Sequence, residues 1–551
     1  MIATSSVATA SGARSTRRAV LETAAVVLVV CCAYALTHPD AAATLGRLYD
    51  DVVYLSVGKS IADGTGYRSA HLVGAPVHVK FPPALPAVYA LFWRAFDSID
   101  GVAQAALWAN IVVTSVAAGV LWWLARYELG IGVVSSALFV VVPMLTDRTM
   151  FYFSGAMSEP WMLLGWAGSL LLVRRLARAR VEGSAELPMA IALGLALAAT
   201  MLARSQALGV AVGVVAGAAA MRVGWRTSIV TTGAATIPML AWHAWHGAMI
   251  ARGPVSTLPD QSSYIAWMPT DLASVTEFAA MVIQLNVPLY WENVAGLLLG
   301  WTSGKTLALA AALLAAGAAG IVLLMRSFPA LAASLVLSLA LVVTWPYVQD
   351  RFLTPILPVL GLAGGYAVQR AVDRSTRILR AGSVSGLALV AVLLLVVNAR
   401  ARLKGVRGQE RSPFSHTLAS IVGWLEQNTE PHERVMVPWG GAIHLKANRR
   451  TSIPNPEEAS FGPSVFDAPR RFLATQLLRD SVDVVIIWDR APGRAAAWLR
   501  DMGARCPGLL TEMAPGSSAP PGLHFYTVRR ELACLGEFAL EQPDTENNNA
   551  P

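Results

Sequence analysis

Apolar stretches long enough to cross a hydrocarbon layer recur along most of this chain, and a backbone that must satisfy itself inside lipid has few folds open to it. The stretches lie near residues 19–37, 102–124, 131–146, 156–173, 187–203, 206–221, 228–247, 305–325, 329–347, 352–369 and 382–398. Charged residues make up only 14% of the chain and hydrophobic ones 55%, whereas a soluble domain is roughly a quarter charged. The expected fold class is a polytopic α-helical membrane protein with about eleven transmembrane helices. The segment Leu202-Ala-Arg-Ser-Gln-Ala207 leaves a second reading of one pair of runs, as a broken helix pair lining a cavity.

Arginines set the orientation. Arg14, Arg17 and Arg18, then Arg174, Arg175, Arg178 and Arg180, then Arg222 and Arg226, then Arg370, Arg374, Arg377 and Arg380 fall on one side by count, which the positive-inside rule makes cytoplasmic. Residues 1–18 are then a cytoplasmic N-terminal tail, and 19–400 the transmembrane domain with an outward catalytic loop at 38–100 and an outward loop at 248–300. Arg400, Arg402, Lys404, Arg407 and Arg411 oppose this count, but long terminal domains cross largely regardless of charge. The location expected is the bacterial inner (plasma) membrane, with the active site and C-terminal domain facing the periplasm or outside. The first run is longer than a signal-peptide core and no small-x-small cleavage site follows it. A net charge of +8 with arginines at loop ends reports topology and anionic headgroups, not nucleic acid.

Residues 412–535 have a different texture. Phe414 to Gln427, Ala468 to Arg479 and 493–503 read as helices; Arg434 to Pro438, Val482 to Trp488 and 522–529 read as strands. This alternation predicts a small outward α/β domain with a mainly parallel sheet. Glycine-rich phosphate loops are missing from it, so it reads as a cap over substrate. Residues 536–551 read as a disordered tail. Cys31 and Cys32 lie within the first run, while Cys506 and Cys534 fall in the outward domain, where a disulfide is permitted but not specified.

The residues that carry chemistry begin in the first outward loop. Asp50 and Asp51 stand side by side in Gly46-Arg-Leu-Tyr-Asp-Asp-Val-Val-Tyr54, where a carboxylate can act as general base on a hydroxyl while a lipid-linked donor stays in the bilayer. Val53, Val57 and Ile61 space out a short helix on the membrane surface, ended by Gly64. Lys80, one of five lysines, precedes Phe81, Pro82 and Pro83 and suits a lipid phosphate as a point charge, or serves as a snorkelling anchor. Trp242-His-Ala-Trp-His246 places His243 and His246 at i, i+3 spacing, which fits an interfacial aromatic belt or, more weakly, a metal site with His71 and His78. Gly304-Lys-Thr306 is not a nucleotide phosphate loop, because Leu299 stands where the earlier glycine belongs.

Taken in order, the acid pair, Tyr54, the Gly64-x-Gly66 turn and Lys80-Phe-Pro-Pro83 resemble the GT-C glycosyltransferase superfamily, in the branch of protein O-mannosyltransferases and the lipid A aminoarabinose transferase. Met157-Ser-Glu-Pro-Trp161, Leu202 to Ala207 and Asp350-Arg-Phe-Leu-Thr-Pro355 extend the resemblance through the membrane region, and Ser420 to Pro438 with Asn448-Arg-Arg450 carry it into the tail. The resemblance implies inverting transfer of a sugar from a polyprenyl-phosphate-linked donor to a lipid, polysaccharide or protein acceptor. It implies Asp50 as base, Asp51 orienting it or contacting the sugar, and Lys80, Arg351 and Tyr54 holding donor and phosphate. The family pair is often Asp-Glu, and here the second acid is shorter. Arg351 has the alternative of pairing with Asp350. Asp147, Arg148, Glu159 and Arg204 are cavity candidates, with a Glu159–Arg204 pair as the structural alternative. Relatives include metal-dependent and metal-independent enzymes, so a divalent metal stays open. A transporter or lipid flippase using Asp50 and Asp51 as substrate or proton sites is the competing class, although no internal repeat links the two halves.

Overall fold

The computed structural model describes residues 5–38, 41–253, 272–299, 304–345, 348–409, 413–437, 439–452, 469–489, 495–515 and 521–540. Helices coincide with every apolar run. By length and hydropathy, Thr16–Thr37, Ile99–Glu128, Leu307–Ser327 and Arg377–Gly405 can each cross a membrane, and Val133–Met144 with Asp147–Phe153, bent by 56°, can make a fifth crossing. Shorter apolar helices, Leu187–Ala203, Ser205–Ala220 and Pro329–Val343, pack among them. Leu28, Leu36, Leu195, Ile237 and Leu389 stay exposed on the outside, as a surface facing hydrocarbon rather than water requires. This is a membrane protein.

Lipid gives apolar helices no hydrophobic reason to associate, so close packing must do it, and glycine permits the closest approach. Gly209, Gly213 and Gly217 recur every fourth residue along the Leu208–Ala220 helix. A Cβ at Gly213 would lie 2.3 Å from the Cα of Ser334, and one at Gly217 2.2 Å from the Cα of Ala330. Gly209 meets Leu337 and Ser338 in the same way, so the partner helix Pro329–Val343 runs antiparallel. The start of one helix therefore sits beside the end of the other. That junction becomes one wall of the cavity described below.

The segment 38–100 is more structured than a surface helix. Asp50–Ala62 is followed by a looped segment and by a separate helix Ala84–Ala95 before Ile99–Trp123 begins. Lys80-Phe-Pro-Pro83 thus leads into this separate helix, not into the second membrane run. Val53 and Val57 are fully buried, because Ala84–Ala95 and the C-terminal region together cover the helix that was expected to lie on the membrane. Gly46 and Gly441 allow the approach: a Cβ at Gly441 would lie 2.6 Å from Val52, and one at Gly46 2.8 Å from Ala442.

The C-terminal region contains β1 (Arg434–Met436), β2 (Arg450–Ser452), β3 (Val484–Trp488), β4 (Leu510–Met513) and β5 (Leu523–Val528), in the spatial order β2-β1-β3-β5-β4. The β1–β2 and β1–β3 pairs are parallel, but β5 pairs antiparallel with both β3 and β4. The sheet is mixed rather than mainly parallel. The sequence hid β4 because Leu-Thr-Glu-Met on a sheet edge lacks an apolar alternation. Along β3, Val484, Ile486 and Trp488 join a core shared with Val52, Val53 and Phe81, while Val485 and Ile487 face Leu473, Leu499 and Phe538 on the other side. Period-two alternation thus lets one strand serve two cores. Helix Ala533–Leu540 buries Leu535 and Phe538, so order extends into the segment expected to be tail, while 541–551 lie outside the described residues. At the other end, Ser5 already belongs to the helix that continues to Thr37. Cys506 and Cys534 form a disulfide, with Cα atoms 5.9 Å apart.

Candidate active site

Asp50 opens the Asp50–Ala62 helix, and Tyr54 stands one turn later on the same face. Both line a cavity together with Phe81, Pro82, Arg204, Ser205, Gln206, Leu341, Val342, Trp345, Arg351 and Phe352. Each wall has a local cause. The glycine-packed helix pair brings Arg204–Gln206 beside Leu341–Trp345. On the loop side, Phe81 is fixed from three directions: its ring lies 4.6 Å from that of Tyr54, its carbonyl accepts from the Tyr67 hydroxyl, and its N–H donates to His78 Nε2.

Asp50 does not stand alone. Arg351 Nη1 lies 2.8 Å from Asp50 Oδ2, and both side chains are largely buried. Asp350 turns the other way, accepting from Arg148 at 3.4 Å and from the Tyr152 hydroxyl. Arg351 therefore pairs with Asp50 and not with its neighbour in sequence. The turn carrying it is held by Gln206, whose Nε2 donates to the Phe352 carbonyl at 3.1 Å.

A second ion pair stands behind the opposite wall. Arg204 Nη1 lies 3.0 Å from Glu159 Oε1, and Glu159 is completely buried. The contact is out of line for a hydrogen bond, and neither carboxylate oxygen has another hydrogen-bond partner among the described residues. Arg204 also donates to Ser158 Oγ at 2.7 Å and to Gln206 Oε1 at 3.0 Å, and Tyr54 donates to the same Ser158 Oγ at 3.0 Å. The loop that presents Ser158 is held by Asn110, whose side-chain amide donates to the carbonyls of Gly155 and Met157. Both guanidinium groups lie over the Phe352 ring, at 5.3 Å for Arg204 and 5.4 Å for Arg351. Two arginines thus flank one aromatic ring, each with its own carboxylate.

Several expected residues stand elsewhere. Asp51 does not reach the cavity: Oδ2 accepts from the Gly46 N–H at 2.9 Å and Oδ1 from the Val52 N–H at 2.8 Å. Adjacent helical residues point about 100° apart, so two neighbouring acids cannot share one face. Burial pushes Asp51 up to about 6; the two backbone donors and Arg351 oppose the shift, and the Asp50 charge adds to it. Burial also raises Tyr54, so its hydroxyl stays protonated. Lys80 is not a lining residue; its Nζ lies over the rings of Phe81 at 5.4 Å and Tyr49 at 5.7 Å, immediately before lining residues Phe81 and Pro82. Asp147 and Arg148 do not line the cavity: Arg402 Nη1 is 3.9 Å from Asp147 and Arg402 Nη2 donates to Ser154, while Arg148 pairs with Asp350.

The histidines do not converge. His246 donates to the His78 carbonyl at 2.8 Å and stacks on Trp242, whereas His243 is exposed. No group of three or more His, Cys, Asp or Glu side chains suited to a metal ion occurs among the described residues. The aromatic cluster instead braces the loop that presents Phe81. Tyr290, in the second outward loop, is buried and Trp291 half-exposed; Trp267 lies outside the described residues. Ser158, Gln206, Trp345 and Phe352 are the site residues that sequence reasoning passed over. Ser158, Gln206 and Phe352 each adjoin a charged residue that had been singled out, and that adjacency was the available signal.

No protein-family model matches the chain, and no curated protein matches it. Solved structures do. ArnT from Cupriavidus metallidurans bound to undecaprenyl phosphate is similar over 92% of this chain and 97% of that one, with a TM-score of 0.52 and 12% identity. The apo state of the same protein is similar over 94% and 99%, with a TM-score of 0.51. Archaeal oligosaccharyltransferase AglB from Archaeoglobus fulgidus, in complex with an inhibitory peptide and a dolichol-phosphate, is similar over 84% and 69%, with a TM-score of 0.50 and 13% identity. At these identities the likeness is one of fold: the chain shares its membrane fold with ArnT and AglB.

Proposed function

We propose that this chain is a membrane glycosyltransferase that moves a sugar from a polyprenyl-phosphate-linked donor to an extracytoplasmic lipid, polysaccharide or protein acceptor. The observation that carries the reading is the Asp50–Arg351 pair facing a cavity in a fold shared with ArnT and AglB. Asp50 takes the acceptor proton as the acceptor oxygen bonds to the anomeric carbon from the face opposite the phosphate. The bond from that carbon to the phosphate oxygen breaks, and its electron pair leaves with the polyprenyl phosphate. The sugar is inverted. Phosphate is already a leaving group of low basicity, so positioning and charge balance are the main tasks of the protein.

Arg351 offers a fork for the phosphate and Lys80 a point charge at the membrane edge. The inner membrane and a periplasm-facing site fit the arginine distribution.

The test is sugar transfer from radiolabelled polyprenyl-phosphate donors by purified protein in detergent. Turnover by the wild type that is lost in Asp50→Asn, and reduced in Lys80→Ala, is the expected result. Full activity in Asp50→Asn would remove Asp50 from the reaction.

A further inference from the structure

Arg351 has two anions to serve. Its Nη1 is 2.8 Å from Asp50 Oδ2, and the same arginine lines the cavity that the donor phosphate must enter. A base held in an ion pair is a weak base, since the neighbouring cation favours its ionised form and occupies the lone pair that would accept a proton. Arg204 offers no such exchange: Glu159 is completely buried, does not line the cavity, and Arg204 is further tied to Ser158 and Gln206. Of the two arginines flanking Phe352, only Arg351 has a carboxylate partner within reach of a ligand.

We infer that Asp50 and the donor phosphate compete for Arg351, so that donor binding itself unmasks the base. This rests on the proposed function and adds an order to it. The donor binds first, its phosphate takes the Arg351 guanidinium, and Asp50 is freed to accept the acceptor proton. An acceptor arriving in an empty site meets a masked base and is not deprotonated. After transfer, protonated Asp50 no longer competes, and the polyprenyl phosphate keeps Arg351. Loss of that proton to water lets Asp50 reclaim Arg351 and displace the product.

The charged and titratable groups around Asp50 are Arg351 from the 350–353 turn, Asp51 and Tyr54 from its own helix, Lys80 from the following loop, and Arg204 with Glu159 across the cavity. Among these, Arg351 alone forms an ion pair with Asp50 within the described residues. Comparing Asp50→Asn in the presence and absence of Arg351 therefore separates release of the guanidinium from the direct repulsion between Asp50 and an anionic ligand.

The experiment is equilibrium binding of undecaprenyl phosphate to the full chain in detergent, for wild type, Asp50→Asn, Arg351→Gln and the double variant. Competition predicts that Asp50→Asn binds at least about tenfold more tightly than wild type, with the gain gone in the double variant. Unchanged or weaker binding in Asp50→Asn, or a gain that persists undiminished in the double variant, overturns the competition while leaving the transferase reading in place. Binding by none of the four proteins overturns the transferase reading itself.

Discussion

Gly213 packs its backbone against that of Ser334, so closely that a Cβ at Gly213 would fall 2.3 Å from the Ser334 Cα. The obstacle is backbone rather than a movable side chain, so Gly213→Val must push the two helices apart. Overpacking of this kind costs roughly 1–3 kcal/mol. We expect a lower Tm in detergent and a loss of activity exceeding the loss of folded protein, because the same helix pair positions Arg204–Gln206 beside Leu341–Trp345. An unchanged Tm and activity would contradict this role.

The Glu159–Arg204 pair predicts non-additive variants. Arg204→Met leaves a buried carboxylate without its cation and should cost roughly 3–5 kcal/mol. Adding Glu159→Leu removes the stranded charge, so the double variant should unfold at a higher temperature than the single one. Independent effects that simply add would show that the two side chains are not coupled.

Acid should weaken the outward region. Burial pushes His71 down to about 3 and His444 to about 4, and holds His78 well below its ordinary value. A depressed histidine leaves the unfolded chain with more bound protons, so its contribution is complete above the unfolded value of 6.5 and is lost as pH falls below it, by about 1.4 kcal/mol per unit. Asp51 acts in the opposite sense, because a carboxylate raised to about 6 is protonated earlier in the folded state. Three histidines outweigh one carboxylate. Tm should be level from about pH 8 to 7 and fall below about 6.5; a Tm that rises on acidification would refute the assignment.

The Cys506–Cys534 disulfide spans 28 residues. Closing a loop of that length stabilises a chain by about 3–4 kcal/mol through the unfolded state. Cys506→Ser with Cys534→Ser should lower the stability of the C-terminal region, and limited proteolysis in a reducing buffer should cut the wild type there in the same way. Equal protease resistance with and without reductant would count against a structural role.

The apolar runs and their helical form were legible in the sequence because each is a local property: hydrophobic length and helix period need no partner. The same holds for Asp50 and Tyr54 sharing a face, since four residues make about one helical turn. Partner choice is not local. Whether Arg351 pairs with Asp350 or Asp50, and whether a loop helix lies on lipid or beneath the helix Gly440–Ala447, depend on which segments the glycine contacts bring together. Those contacts join residues separated by more than a hundred positions, and no periodicity records them. Sequence determined what each segment is; tertiary packing decided which carboxylate meets which arginine.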